Sequence, residues 1–523
     1  MATKYNWSRL RFLIVDDLPN FCSALRAMVT SYGVQEVDVA RSGDEAVSAI
    51  SKTKYDVILC DYNLGEGRNG NDILEESKVQ GLLKGGALFV MITAESAAEM
   101  VRGALEYQPD DYLTKPFTKE VLQTRLERLL ERTHCFKPLY QAKKKGTVEE
   151  AIAQCDQLQS QYPRYRGYAL KIKSELLMEN EEYARARELF TAVLAKKPIA
   201  WARLGLGKTY FYEGDYDQAR AAFDALVQED RGYVQAWDWL ARCQEQLGDT
   251  EAAQASLQEA VKISPINVRR QAQLGELALK NNDLERAEMA YNRTVKIGKH
   301  SVFRSPDNYL RLTEILANRL DEADALTSKR METKALGTME ELRQLYRGNP
   351  EVTLKSRLAE HHLYTTKGAS QEAAKALHRA YEVCAHDEEG TLPAHLKERL
   401  IEHLEEKGQT HLAEQLVSAM QQEESSHNLQ AVELYDQGDL DGALKMLKLA
   451  VKEKPRSFSI CLNTAQVAMH WMVKNGIDAE LMALAGDALE RTSAMEESDK
   501  RYKLYSNLKA RYQKLQQRVG AAS

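Results

Sequence analysis

Residues 57–70 read VILCDYNLGEGRNG, an apolar run that ends on Asp61 and continues into a loop with three glycines. The run predicts a buried strand, yet a carboxylate is costly to bury without partners. Four interpretations of Asp61 are open: a cap for the next helix, the first ligand of a calcium loop, half of a catalytic pair, or a group that takes a covalent modification.

The composition of the whole chain excludes several classes of protein. The 523 residues are too many for one core and predict a multidomain protein. The net charge of −6 argues against a dedicated nucleic-acid binder. The chain has no run of about 18 apolar residues, so it is not expected to span a membrane. The seven cysteines are scattered without a C-x-x-C pair, which predicts free thiols and a cytoplasmic location.

Between residue 10 and about residue 130, short apolar runs alternate with helical segments. The runs are RFLIVDD, EVDVA, YDVILCDY, ALFVMITA and DDYLTKPF. Their continuous Val, Ile and Leu content indicates strands that are buried on both faces. Alternation with helices predicts right-handed crossovers and a doubly wound parallel sheet of five strands. The carboxyl ends of such strands meet at one edge, where ligands bind.

Acidic residues end the first and third of these runs. A calcium loop that begins at Asp61 fails, because it needs Gly and Glu where the chain has Glu66 and Asp72. The first and third strands of a doubly wound sheet are neighbours, so Asp16 and Asp17 should approach Asp61. Like charges about 4 Å apart repel by roughly 4 kcal/mol per pair at an effective dielectric of about 20. The cluster therefore predicts a cation, and oxygen ligands favour Mg²⁺.

Two further polar residues end the fourth and fifth runs. Thr93 offers a hydroxyl, and Lys115 can pair with a phosphoryl oxygen or with the carboxylate of Asp61. A nucleophilic acid, a metal, a lysine and a hydroxyl are together the groups needed to form an aspartyl phosphate. The modification reading of Asp61 is therefore favoured.

Residues 10–130 resemble the receiver domain of two-component response regulators, which has a flavodoxin-like fold. The family pattern of an acid pair, a phosphoacceptor, a hydroxyl, an aromatic residue and Lys-Pro falls on Asp16, Asp17, Asp61, Thr93, Tyr112 and Lys115. The resemblance implies phosphotransfer to Asp61 from a sensor histidine kinase or a phosphotransfer protein. It implies Mg²⁺ ligation by Asp17, by Asp61, by the backbone carbonyl of Asn63 and, through water, by Asp16.

The residues around Asp61 add further expectations about the loop, the lifetime of the phosphoryl group and the switch. Gly65 stands where the family usually has proline, and the loop to Gly70 is one residue longer than the common form. Asn63 and Glu95 occupy the two positions that tune autodephosphorylation in similar receivers, which predicts a short-lived phosphoryl group. The resemblance also implies a switch in which Thr93 moves inward and the aromatic residue follows.

After about residue 135 the sequence favours helices and repeats itself. Ala219, Ala253 and Ala287 are spaced by 34 residues, and this period is the signature of tetratricopeptide (TPR) helix pairs that stack into a superhelical solenoid with a concave groove. The framework residues of these repeats are Leu206, Gly207, Tyr210, Ala219, Phe223, Trp237, Ala253, Pro265, Gly275 and Ala287.

These patterns predict five segments along the chain. They are a receiver domain (1–130), a linker extending from its last helix (131–145), TPR repeats (146–300), degenerate helical repeats (301–426), and a further repeat with C-terminal capping helices (427–523). The last 24 residues carry seven Lys or Arg and no acid. A capping helix is favoured there over a basic docking helix.

The combined expectation is a cytoplasmic bacterial response regulator that is not an enzyme beyond receiver-type phosphorylation and autodephosphorylation. Its output would be phosphorylation-dependent binding of a protein by the TPR groove, with a homodimer as a further expectation. Two alternatives stay open: an RNA-binding regulator that uses the helical repeats, and a phosphate sink for a kinase. The acidic net charge disfavours RNA.

Overall fold

The computed structural model describes residues 6–94, 109–320, 323–387, 391–422, 426–455, 457–493 and 501–520, together with residues 495, 497 and 499. Internal contacts divide the chain into two units, Met1–Asn308 and Tyr309–Ser523. The first unit holds an α/β domain followed by helix pairs, and the described part of the second unit is helical. None of the described helices combines the length and apolar character needed to cross a membrane.

A single parallel sheet forms the core of the α/β domain, with strand order β2-β1-β3-β4-β5. The strands are β1 (Arg11–Val15), β2 (Glu36–Ala40), β3 (Val57–Asp61), β4 (Leu88–Thr93) and β5 (Asp111–Thr114). They lie where the apolar runs predicted them, and β1 and β3 are neighbours as expected. The predicted doubly wound, flavodoxin-like sheet is therefore confirmed.

Helices cover both faces of this sheet. The described ones are α1 (Pro19–Ser31), α2 (Gly43–Lys52), α3 (Gly70–Val79) and α4 (Lys119–Cys135). Phe12 and Ile14 pack on the side of α1 and α4, whereas Leu13 and Val15 pack on the side of α2 and α3. Because both faces are buried, the strand sequences are continuously apolar. The segment AAEMVRGALEY (97–107), which the sequence pattern predicts to be a helix, lies outside the described residues.

Ten helices follow as far as residue 298. They are α5 (Lys137–Lys145), α6 (Val148–Gln161), α7 (Arg166–Glu179), α8 (Tyr183–Leu194), α9 (Ala200–Tyr212), α10 (Tyr216–Glu229), α11 (Val234–Gln246), α12 (Thr250–Ile263), α13 (Val268–Lys280) and α14 (Leu284–Gly298). The helices α9 and α10, α11 and α12, and α13 and α14 pack as successive pairs. This is the predicted arrangement of stacked helix pairs.

The turn inside each pair repeats with the same chemistry. Asp215, Asp249 and Asp283 cap α10, α12 and α14 by accepting a hydrogen bond from the backbone N–H three residues later. The residue before each of the first two caps is a glycine with positive φ, Gly214 at 84° and Gly248 at 83°. The glycine ends one helix and the aspartate starts the next, so the turn is encoded locally.

Small residues let the two helices of a pair approach closely. A Cβ on Gly207 would overlap the ring of Phe223, and one on Gly275 would overlap the ring of Tyr291. Ala219 is fully buried beside the first of these crossings. Gly207 and Gly275 therefore leave room for an aromatic ring of the partner helix.

The remaining helices are α15 (Pro306–Asn318), α16 (Ala325–Leu345), α17 (Pro350–Thr366), α18 (Ser370–Ala385), α19 (Ala394–Glu406), α20 (Thr410–Gln422), α21 (Ser426–Asp436), α22 (Leu440–Glu453), α23 (Phe458–Asn475), α24 (Ala479–Arg491) and α25 (Tyr502–Gly520). In the basic C-terminal segment, Tyr505, Leu508 and Leu515 of α25 are buried in a core shared with α23 and α24. The helix α25 thus buries an apolar face against its neighbours, and its role as a capping helix stays a prediction. The five domain boundaries stay predictions.

Candidate functional site

Three carboxylates converge at the carboxyl edge of the sheet. Asp61 is the last residue of β3, and Asp16 directly follows β1, whose Val15 is in register with Cys60. Asp16 is fully buried, Asp61 is 6% exposed, and Asp17 is half-buried. One ligand oxygen from each of the three lies within 4.8 Å of the others. The parallel register thus brings together groups that are 45 residues apart in the chain.

Lys115 bridges two of these carboxylates. Its Nζ atom donates to Oδ2 of Asp61 and to Oδ2 of Asp16, both at 2.9 Å. The ammonium also lies 3.9 Å from the centroid of the Phe21 ring, and Phe21 contacts Phe117 edge-on. Because a desolvated cation gains from an aromatic face, Phe21 supports the position of Lys115. The sequence analysis did not find Phe21, since no motif marks its position on α1.

Burial and the Lys115 bridge shift the pKa values of the charged groups at the carboxyl edge of the sheet. Burial raises the pKa of the Asp61 carboxyl, while the hydrogen bond from Lys115 acts against this and the charge of Asp16 adds to it. Burial by itself would lower the pKa of Lys115, but its hydrogen bonds to Asp16 and Asp61 raise it. Lys115 is therefore held as a cation, and it offsets part of the repulsion between the two acids.

The two residues predicted to form the switch lie beside this cluster. Thr93 ends β4, is buried, and is in register with Thr114 of β5. Tyr112 lies on β5 and is half-buried; its hydroxyl group is buried and makes no hydrogen bond to the described residues. Burial raises the pKa of the Tyr112 hydroxyl, which therefore stays protonated. A hydroxyl in this state can take up a new partner if the strand end rearranges.

The loop after Asp61 explains the departure from the family pattern. Gly65 has a φ of 75° and Gly67 a φ of 100°. Proline is restricted to a φ near −65°, so it cannot replace Gly65 in this backbone conformation. Asn63 is exposed, and its side chain accepts a hydrogen bond from the N–H of Gly65 at 3.3 Å. Glu95, the second predicted tuning residue, lies outside the described residues.

The oxygen set fits a hard divalent cation. Asp16 accepts a hydrogen bond from the N–H of Leu18 through Oδ1, so its other oxygen and the oxygens of Asp61 share the charge of Lys115. Asp17 has no hydrogen-bond or ion-pair partner within the described part of the chain. A Cβ on Gly65 would lie 3.5 Å from Oδ2 of Asp17, so the glycine leaves space beside that carboxylate. Half-buried oxygen donors with adjacent space are what Mg²⁺ requires.

Comparison with known protein families agrees with both halves of the fold. Residues 12–127 match the response regulator receiver domain, and residues 204–266 and 246–301 match the tetratricopeptide repeat. The chain therefore carries the receiver domain of two-component response regulators, followed by TPR repeats.

Characterised relatives align with the receiver part of the chain. The chain is 33% identical over 124 residues to the regulatory protein VanRB of Enterococcus faecalis. The aligned segment covers 24% of this chain and 54% of VanRB. The chain is also 34% identical over 122 residues to the transcriptional regulatory protein ZraR of Escherichia coli. That aligned segment covers 23% of this chain and 26% of ZraR. The chain is 28% identical over 123 residues to the chemotaxis protein CheY-3 of Vibrio cholerae, covering 24% and 93%. The alignment thus spans about half of the first relative and a quarter of the second.

Proposed function

We propose that this protein is a response regulator in which Asp61 accepts a phosphoryl group from a phosphohistidine of a sensor kinase or a phosphotransfer protein. The observation that carries the proposal is the bridge from Lys115 to Asp16 and Asp61, with Asp17 beside it. An isolated strand-end cap would need none of these partners. The matched receiver family supports the same reaction class.

The transfer is an in-line substitution at phosphorus. An oxygen of the Asp61 carboxylate attacks the phosphorus atom, the P–N bond to the imidazole breaks, and the P–O bond of an acyl phosphate forms. The imidazole nitrogen leaves with the bonding electron pair and takes up a proton. The raised pKa of Asp61 makes its carboxylate more basic than an exposed one, which favours attack.

Lys115 and the acid pair would stabilise the charge that arrives. The ammonium has three N–H groups and uses two of them on Asp16 and Asp61. It can therefore donate to a phosphoryl oxygen while it still holds Asp16. Mg²⁺ would be held by Asp17, Asp61, the carbonyl of Asn63 and, through water, Asp16, and when bound it supplies positive charge to the phosphoryl oxygens.

The output of the signal would be a change in protein binding by the TPR repeats. Phosphorylation adds about −1.5 to −2 charge at pH 7, and Thr93, which is buried at the end of β4, would donate to that group. Its inward movement would leave space for the ring of Tyr112. Helix pairs of the TPR type present extended surfaces for protein partners.

Phosphorylation by acetyl phosphate with Mg²⁺ tests the proposal directly. The wild type should gain one hydroxylamine-labile phosphoryl group by mass spectrometry, and Asp61→Asn should gain none. Asp44→Asn is the matched control, because Asp44 lies on the exposed start of α2 and its side chain is 81% exposed; this variant should behave as the wild type. Phosphorylation of Asp61→Asn at the wild-type level would overturn the assignment.

A further inference from the structure

The receiver helix α3 is buried on more than one side. Ile73 and Leu74 are fully buried against the sheet. At about 100° per residue, Glu75 points roughly opposite to that face, yet it is only 4% exposed. A helix that covers one face of a sheet should leave its outer side to water. A second surface must therefore cover α3.

The turn after the last matched TPR repeat supplies one part of that surface. The hydroxyl of Ser301 donates a hydrogen bond to Oε2 of Glu75. Ser301 is itself buried, and its Oγ also accepts from the N–H of Phe303 at 3.1 Å. A carboxylate at this depth gains a charge-assisted hydrogen bond here. The contact joins the outer side of α3 to the C-terminal end of α14.

The other end of α3 faces the beginning of the repeat array. Burial lowers the pKa of Lys78, Asp110 acts against this, and Lys171 and Glu175 of α7 contribute in opposite directions. Charges influence one another in this way only when they are close. The charge of Lys78, in the last turn of α3, therefore lies within electrostatic range of α7, while Glu75 in the middle of the helix contacts the turn that follows α14.

These two contacts require that the array curves around α3. The helices α7, α9, α11 and α13 occupy equivalent positions in successive repeats, and neighbouring helix axes lie about 8–10 Å apart. In a straight stack, the axes of α7 and α13 would therefore be roughly 25–30 Å apart. A helix of ten residues is only about 15 Å long. It can reach both ends only from the concave side. A position of α3 on the concave side of the repeats accounts for both observations.

The groove also carries a cationic cluster. Lys208 and Arg242 are 34 residues apart, at the same position of successive repeats. Both lie over the ring of Trp239, at 4.9 Å and 4.5 Å from its centroid. Burial lowers the pKa of Lys208 to about 8; Arg242 adds to the effect, and Glu175 and Asp238 oppose it. Accumulated positive charge of this kind favours carboxylates as ligands.

We propose that α3 is an internal ligand of the TPR groove, and that the protein partner binds there through an acidic helix that competes with α3. The inference rests on the proposed phosphorylation of Asp61. The route between the two sites is short, because α3 begins at Gly70, whose N–H donates to the carbonyl of Tyr62 at 2.9 Å. A rearrangement at Asp61 therefore reaches the first turn of α3 directly.

Hydrogen exchange of the full chain, with and without Mg²⁺ and beryllofluoride as phosphoryl analogue, tests the release of α3. The analogue should protect amides near Asp61 and speed exchange in α3 and in residues 298–305. If no amide near Asp61 responds in the wild type, the proposed phosphorylation site is wrong. If those amides respond while α3 and residues 298–305 do not, the phosphorylation site stands and the groove proposal is overturned.

A substitution isolates the contact without any phosphoryl analogue. Hydrogen bonds to charged groups change equilibria by about tenfold or more, so Ser301→Ala should speed exchange in α3 by about that factor. Ser51→Ala is the matched control, because the Ser51 hydroxyl donates to Ser48 within its own helix. Equal exchange in α3 for the wild type and Ser301→Ala, both folded by circular dichroism, would contradict the proposal.

Binding of a peptide that contains α3 tests whether the TPR groove accepts an acidic helix. A fluorescent peptide of residues 68–81, which contain α3, should bind Ser301→Ala about tenfold more tightly than the wild type by anisotropy, because its site is open more often. Lys208→Ala together with Arg242→Ala should abolish the binding. Equal binding to wild type and Ser301→Ala, binding that ignores the two cations, or no binding to any variant would each overturn the acidic-helix assignment.

Discussion

The Nζ atom of Lys115 lies 2.9 Å from Oδ2 of Asp61, and the same ammonium reaches Asp16 at the same distance. A single cation therefore offsets two buried carboxylates that belong to neighbouring strands. The bridge stabilises the resting receiver and holds a positive charge at the point where a phosphoryl group would arrive.

Removal of the bridging cation should destabilise the receiver. Lys115→Ala leaves Asp16 and Asp61 close together without their shared counter-ion, so we expect a loss of about 2–4 kcal/mol in the free energy of opening of β1 and β3. Hydrogen exchange of these strands measures it, and Mg²⁺ should restore more protection to the variant than to the wild type. The control is Lys119→Ala, whose side chain is 58% exposed. Equal protection in both variants would refute the bridging role.

The capping box of α3 predicts a pH dependence. Burial raises the pKa of Asp72 to about 6, from the ordinary value of 3.8 for an aspartate. The folded state therefore holds this proton more tightly, and the stabilisation is complete below about pH 4 and is lost as the pH rises through about 6. The loss amounts to roughly 3 kcal/mol, at 1.36 kcal/mol per pH unit.

Asp72→Asn removes this titration while it keeps an oxygen that can accept from the N–H of Asn69. The variant and the wild type should be equally stable near pH 4, and the variant should be more stable above pH 6. Urea unfolding from pH 4 to pH 7.5 measures the difference, with the exposed-site variant Asp44→Asn as control. A constant difference across the range would show that Asp72 does not titrate there.

Two glycines of the loop after Asp61 separate backbone strain from the addition of a methyl group next to Asp17. Gly65 and Gly67 both have positive φ, but a Cβ meets Asp17 only at Gly65 and meets nothing within 4 Å at Gly67. Each Gly→Ala change should cost about 1 kcal/mol through the backbone. Only Gly65→Ala should also weaken Mg²⁺ binding, as measured by calorimetric titration. Equal Mg²⁺ affinity in the two variants would mean that the space beside Asp17 is irrelevant to the metal.

Close packing between paired helices predicts a sharp contrast between two helical glycines. A Cβ on Gly207 would overlap the ring of Phe223, whereas one on Gly337 meets nothing within 4 Å. Gly207→Ala should destabilise its unit by about 1–3 kcal/mol through overpacking, and Phe223→Leu should restore part of the loss. Gly337→Ala should stabilise by about 0.5–1 kcal/mol. Thermal unfolding tests both, and stabilisation by Gly207→Ala would exclude the close crossing.

Most of the receiver could be read from the sequence because its information is local. Each strand is an apolar run, and Asp16, Asp61 and Thr93 each lie at or directly after the end of one. Parallel pairing then brings these ends to one edge without further information. The TPR region was predictable for a similar reason, since the 34-residue spacing of Ala219, Ala253 and Ala287 repeats a single local unit.

Other features of the site had no local signal. The contact between Phe21 and Lys115 joins α1 to the loop after β5, and no spacing rule links these positions. The positive φ of Gly65 explains the missing proline, but the sequence showed only that a proline was missing. The conformation became clear only from the backbone.

The sequence by itself determined the two classes of fold, the order of the strands that carry the acids and the helix pairs of the repeats. These depend on hydrophobic periodicity and turn chemistry, which act over a few residues. Only the tertiary structure decided which surface the repeats cover. Ser301 and Glu75 are 226 residues apart, and each taken alone is an ordinary polar residue. Their contact joins the end of the matched repeats to the receiver, and no pattern within a few residues encodes a pairing over that separation.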